Sequence, residues 1–276
     1  VTQFLMPWEF SRYNNRSHRR ILVIDGKIGF IGGHGVGEAW TGEGRTAEHW
    51  RQTDVRVEGP IVQQLQAVFV ESWRKTTGNM LGDDNYFPAL HVQGKVYAQI
   101  VKSSPASGSF ESYLLFLLSI TSAQKSIHIA NPYFLPDDRI KEALLNAVKR
   151  GVRVVVLTPA KGDHTTTSAA SRNGFGPYLL GGVEIYEYQP AFMHTKAMVV
   201  DGVWATVGSA NFDNRSTAIN EEVNLVVYDA GFAGQLEKSF QEDLKYSKKL
   251  TYEEWHSRPF MDKILELFTI PVKEQL

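Results

Sequence analysis

Two short apolar runs, Ile21–Ile24 and Ala197–Val200, each lead into Asp-Gly and then into a second apolar stretch. That pattern predicts a strand, a tight turn and a returning strand, twice. Ser126–Ala130, residues 152–157 and residues 183–188 are further compact apolar runs of strand length, as are Asp54–Glu58 and Glu222–Tyr228. Between them the apolar spacing changes to that of helices. Residues 60–77 open with Pro60 and stop before Gly78; residues 137–150 begin with Asp137 and Asp138 and stop before Gly151. Residues 110–124 and 231–246 predict two more helices. Alternating strands and helices indicate an α/β fold with mixed sheets flanked by helices. Residues 78–85, rich in Gly, Asp and Asn, read as the loop between a first half (1–85) and a second half (86–276).

The two hairpins are copies of one unit. His18-Arg19-Arg20-Ile21-Leu22-Val23-Ile24-Asp25-Gly26 continues to Gly32-Gly33, and His194-Thr195-Lys196-Ala197-Met198-Val199-Val200-Asp201-Gly202 continues to Gly208-Ser209. In both, a cation follows the histidine by two places, Asp-Gly by seven, and Gly-Gly or Gly-Ser by fourteen. Residues two apart on a strand share a face, so His18 points with Arg20, and His194 with Lys196. The halves are therefore expected to pack about a pseudo-two-fold, with both imidazoles facing one cleft. The copies are unequal in what precedes them. Strands and helices come before His194 within its half, whereas seventeen residues precede His18. A block of similar structure, from upstream sequence or a second chain, is expected to complete the first half.

The motif His-x-Lys-x4-Asp-x6-Gly-Ser-x-Asn, complete at His194, Lys196, Asp201, Gly208, Ser209 and Asn211, resembles the signature of the phospholipase D superfamily. The flanks resemble its bacterial cardiolipin-synthase-like members: Asn131-Pro132-Tyr133-Phe134-Leu135-Pro136, Gly182 to Tyr188, Gly208 to Ser216 with Asn220 to Leu225, and Val55-Arg56-Val57-Glu58-Gly59-Pro60. The first motif departs from that pattern. Arg20 stands in the usual place of Lys, and Gly33 and Gly35 in those of Ser and Asn.

The resemblance implies a metal-free, cofactor-free reaction on a phosphodiester, with a phospholipid substrate, an alcohol or water acceptor, and a membrane surface as partner. The chemistry suits the residues. One imidazole attacks phosphorus, the other protonates the leaving alkoxide, and water or an alcohol resolves the phosphohistidine. Arg20 and Lys196 are expected to neutralise the non-bridging oxygens, and Ser209 and Asn211 to donate hydrogen bonds. Each histidine needs an acidic partner to fix its tautomer. The expected pairs are Glu222 with His194, from the resemblance, and Asp54 with His18, from aligning Asp54-Val55-Arg56-Val57 with Glu222-Val223-Asn224-Leu225. Asp25 and Asp201, at the turns, are expected to be structural, as are Gly33 and Gly208. His18 is expected to attack and His194 to act as acid, since glycines beside His18 let phosphorus approach.

Weaker candidates are His34 at the cleft, His164 on a substrate-facing loop, Ser171 and Arg172 as headgroup contacts, and Phe4, Leu5 and Trp8 as lipid contacts. His128 reads as a core histidine. The composition narrows the partner: 29 Lys+Arg against 30 Asp+Glu gives no field for a polyanion. That argues against a nuclease, the other activity found with this motif. The altered first motif would also suit a phosphate-binding pseudoenzyme, but His18 and a cation at 20 are retained. The absence of cysteine excludes disulfides and thiolate chemistry.

Overall fold

The computed structural model describes residues 15–162 and 170–258. In chain order the elements are β1 (Ile21–Ile24), β2 (Ile28–Gly32), β3 (Asp54–Glu58), α1 (Ile61–Thr77), β4 (Tyr97–Ser103), α2 (Glu111–Ser122), β5 (Ser126–Ala130), β6 (Phe134–Leu135) and α3 (Asp138–Lys149). They continue with β7 (Arg153–Pro159), α4 (Phe175–Leu180), β8 (Glu184–Tyr188), β9 (Ala197–Val200), β10 (Trp204–Gly208), β11 (Phe212–Asp213), β12 (Glu222–Tyr228), α5 (Ala230–Leu244), β13 (Ser247–Leu250) and α6 (Tyr252–His256). Among the described residues there is a large mixed sheet of order β13-β8-β7-β5-β9-β10-β12-β4, a three-stranded sheet β1-β2-β3, and a two-stranded pair β6-β11.

The repeat is visible in the registers. Gly32 faces Asp54 across β2 and β3, and Gly208 faces Asn224 across β10 and β12. Both hairpins turn at an aspartate in the left-handed region, Asp25 at φ 52° and Asp201 at φ 55°, followed by a glycine that is also left-handed. A type I′ turn needs this at both central positions. Asp201 does more than turn the chain. Its carboxylate accepts the backbone amides of Gln124 (2.9 Å), Lys125 (2.7 Å) and Ser126 (2.9 Å), fastening the start of β5 beside β9.

The two sheets share a core. Ile31, Leu65 and Val68 of the first half pack against Val223, Leu225 and Val227 of β12. Burying each such aliphatic side chain contributes about 1.5–3 kcal/mol, so this seam holds the two motifs together. Four strands, β4, β6, β11 and β13, were not anticipated. β4 lies at the sheet's end with an alternating burial pattern, and β13 carries Lys248 and Lys249, which blunt the other end.

An ion network ties α1 to the segment that carries His18. Glu71 pairs with Arg19, Lys75 and Lys102, and Glu221 with Arg19 and Lys75. Burial works to raise the Glu71 carboxyl, but the cations overcome it and hold it down to about 2, against 4.5 ordinarily. Its contribution to stability is therefore complete above about pH 4.5 and disappears as pH falls towards 2. Glu71→Gln should lose less of its thermal midpoint between pH 5 and pH 3 than the unmodified protein does. Equal losses in thermal denaturation at the two pH values would sink this assignment.

Candidate active site

Each motif histidine sits just before its hairpin, and each is clamped by the other half. The His18 amide donates to the Glu221 carbonyl at 2.9 Å, and the His194 amide to the Arg51 carbonyl at 2.8 Å. Short parallel bridges pair Ser17 with Glu221 and Met193 with Arg51. The crossing is symmetric: the segment entering each motif runs beside the one that follows the other motif.

This crossing breaks both expected pairings. Glu222, fully buried, holds His18, whose Nδ1 lies 2.9 and 3.1 Å from its two carboxylate oxygens. A carboxylate only accepts, so Nδ1 carries the proton and Nε2 is left for chemistry. Among the described residues His194 has no carboxylate hydrogen-bonded to it. Its Nδ1 lies 3.1 Å from the amide oxygen of Gln52. Asp54 is the partner of His34 instead, accepting from its backbone amide and its Nδ1, each at 3.2 Å. Burial raises the Asp54 carboxyl, and His34 opposes that.

Ser209 also departs from expectation. It donates its hydroxyl proton to Glu222 and accepts the Val223 amide at 3.0 Å, so it fixes the carboxylate. Gly208 is required there, because a Cβ would lie 2.4 Å from the Val223 carbonyl. Lys196 is buried, and its ammonium donates to Nε2 of His194 and to the His194 carbonyl, both at 2.9 Å. The Arg20 guanidinium lies over the Trp40 ring, 5.9 Å from its centroid. Asn211 is buried, and among the described residues its side-chain oxygen has no hydrogen-bond partner.

The glycines of the first motif are filled from elsewhere. A Cβ on Gly33 would lie 2.8 Å from the Gln52 amide oxygen, and one on Gly35 2.7 Å from the Trp40 indole. Trp40, Trp50 and Phe192 surround the His194 ring, with centroids at 4.8, 5.4 and 5.7 Å. Burial in this box lowers the basicity of His194 strongly, and Lys196, His18 and Arg20 lower it further. Asp213 is a further acid the sequence reading passed over. Burial pushes it up to about 7; the Ser216 amide (2.7 Å) opposes this, while Glu222 adds to it.

Several candidates have structural partners. Arg172 pairs with Glu187, Ser171 bonds the backbone of Phe134, and His128 pairs with Glu237. The Asp25 turn matches that of Asp201. Phe4, Leu5, Trp8 and His164 lie outside the described residues. Among the described residues no cluster of His, Asp and Glu is arranged to hold a metal ion, and no helix is long and apolar enough to cross a membrane.

Comparison with known proteins shows what the chain as a whole is similar to. Residues 117–244 match the family model described as cardiolipin synthase, PLD-like domain. The chain is thus similar to cardiolipin-synthase-like members of the phospholipase D superfamily. It is 42% identical to the probable cardiolipin synthase YwiE of Bacillus subtilis over 93% of its own length and 51% of that protein's. It is 38% identical to cardiolipin synthase 2 of Staphylococcus epidermidis, over 92% of this chain and 53% of that one. The chain thus spans about half the length of the curated relatives it matches. A crystal structure of phosphatidylserine synthase from Haemophilus influenzae superposes with a TM-score of 0.72, covering 96% of this chain and 73% of that one. At 14% identity that likeness concerns the fold alone.

Proposed function

We propose that the chain cleaves a phosphodiester of glycerophospholipids at a membrane surface, as a phosphatidyltransferase or phospholipase D, through a phosphohistidine. The observation that carries this reading is the cross-clamped pair of histidines, each with Nδ1 engaged by the other half. Nε2 of His18 attacks phosphorus, the bond to the leaving oxygen breaks, and His194 gives that oxygen a proton. An alcohol or water then attacks phosphorus, losing its proton to His194 and freeing His18. Arg20, Lys196 and the Asn211 side-chain amide take the non-bridging oxygens. The names of the curated relatives support glycerophospholipids as the substrate class.

Incubation with phosphatidylglycerol vesicles and, separately, plasmid DNA tests this reading. Thin-layer chromatography should show the lipid converted to phosphatidic acid or cardiolipin, with the plasmid intact. A nicked plasmid and untouched lipid would transfer the site to nucleic acid.

The same reading includes a strand added to β1. In the second half β9 is covered by β5, paired Ile127 with Val200 through Ala130 with Ala197. The corresponding edge of β1 is proposed to receive a strand from upstream sequence or a second chain. Its outward amides should then exchange with solvent as slowly in the intact protein as those of β9, and fast exchange there would remove the proposal.

A further inference from the structure

The registers identify a counterpart for Glu222 in the first half. Gly32 faces Asp54 and Gly208 faces Asn224, so position 54 corresponds to 224 and position 52 to 222. The residue at 52 is glutamine. It occupies the space that a side chain on Gly33 would fill, in the half where Gly33 replaces the serine that holds Glu222.

We infer that Gln52 is the positioning residue of His194: its amide oxygen accepts a hydrogen bond from the Nδ1–H without supplying charge, so that His194 is neutral in the free protein and gains a proton at Nε2 only when an anionic phosphodiester draws Lys196 away. The inference deepens the proposed function and rests on that reading of the site. The Gln52 amide nitrogen donates to the Thr53 carbonyl at 2.6 Å, which aims the amide oxygen at His194. Nε2 of His194, the atom that must carry the catalytic proton, instead accepts from the Lys196 ammonium.

Among the described residues the charged groups acting most strongly on the ring are cations, Lys196 two residues further along the same segment and Arg20 from the first motif. Trp40, Trp50 and Phe192 cover it without charge. One backbone hydrogen bond at Gly33 acts the other way, and the balance still favours the neutral ring. A phosphodiester brings one negative charge and a better acceptor for Lys196. Both changes favour protonation of His194 from solvent, so the acid is charged where and when a leaving group needs it.

Nitrogen-15 spectroscopy of histidine-labelled protein reads this directly. At pH 7 the free protein should show His194 neutral, with its proton on Nδ1. Saturation with dimethyl phosphate, which does not itself titrate near neutrality, should shift His194 to the doubly protonated form. Gln52→Glu should make His194 cationic without ligand, and should move the basic limb of kcat/KM upward by about one to three pH units, the effect of a carboxylate partner on a neighbouring group. Gln52→Met, similar in size but unable to accept the bond, should lose the single tautomer while unfolding at a similar temperature. A cationic His194 in the free protein, no change on saturation with dimethyl phosphate, or an unaltered His194 in Gln52→Glu would each overturn the inference. These spectra do not depend on lipid turnover. A protein inactive on lipid that gave them would retain the role of Gln52 and lose the proposed function.

Discussion

Replacing Glu222 with glutamine is expected to lower kcat by about three to four orders of magnitude, the size of effect seen when a histidine-orienting carboxylate becomes an amide. The substitution preserves volume at a fully buried position, so the fold should survive. What changes is the bond to His18. The carboxylate can only accept, which holds the His18 proton on Nδ1 and leaves Nε2 with its lone pair. The amide can present its NH2 group to Nδ1, because the Ser209 hydroxyl, which donates to the carboxylate, would hold the amide oxygen. An NH2 donor at Nδ1 would move the ring proton to Nε2, the atom proposed to attack. The amide would also withdraw the charge that stabilises phosphorylated His18, an imidazole that stays cationic while phosphorus is attached. Initial rates on phosphatidylglycerol, with thermal denaturation as the check on folding, decide the matter. A loss below tenfold in a stably folded variant would mean that Glu222 does not orient the nucleophile.

Much of this site was legible in the sequence, and its errors have a physical origin. The paired motifs placed His18 and His194, the cations two residues on, and the turns at Asp25 and Asp201. Repetition at fixed spacing survives folding, because each copy is one local hairpin. The acidic partners are a different kind of information. They come from the opposite half, and which residue faces which histidine depends on strand register. Aligning Asp54 with Glu222 slips the repeat by two residues. A slip of two on a strand keeps every side chain on its proper face, so the apolar alternation gives no warning. Only the pairing of Gly32 with Asp54 and of Gly208 with Asn224 reveals that Gln52 is the true counterpart. The same limit hid Trp40 and Trp50. They lie between β2 and β3 in a stretch with no strand or helix period, and their importance appears only once their rings enclose His194. The glycines pointed the other way. Gly33 and Gly35 read as room for phosphorus to approach His18, whereas folding shows that space taken by Gln52 and Trp40.

The unequal partners of the two histidines bear on which one attacks. A phosphorylated imidazole with its Nδ1 proton in place is a lasting cation, and the buried carboxylate of Glu222 stands beside His18. A general acid needs its positive charge only briefly, and must release the proton readily. An amide partner suits that task, and Gln52 stands beside His194. His18 is therefore expected to form the covalent intermediate. A nitrophenyl phosphodiester, whose leaving group departs without a proton, separates the two roles. With that substrate His194→Ala should still become phosphorylated, and should accumulate the adduct because water lacks the base that would activate it. His18→Ala should form no adduct at all. Intact-protein mass spectrometry after an acid-free quench, followed by peptide mapping, would show the mass increase in His194→Ala and place it on His18. An adduct that persists in His18→Ala and maps to His194 would exchange the two roles. The carboxylate would then sit behind the acid, and Lys196, which now donates to Nε2 of His194, would have to leave that atom before attack could begin.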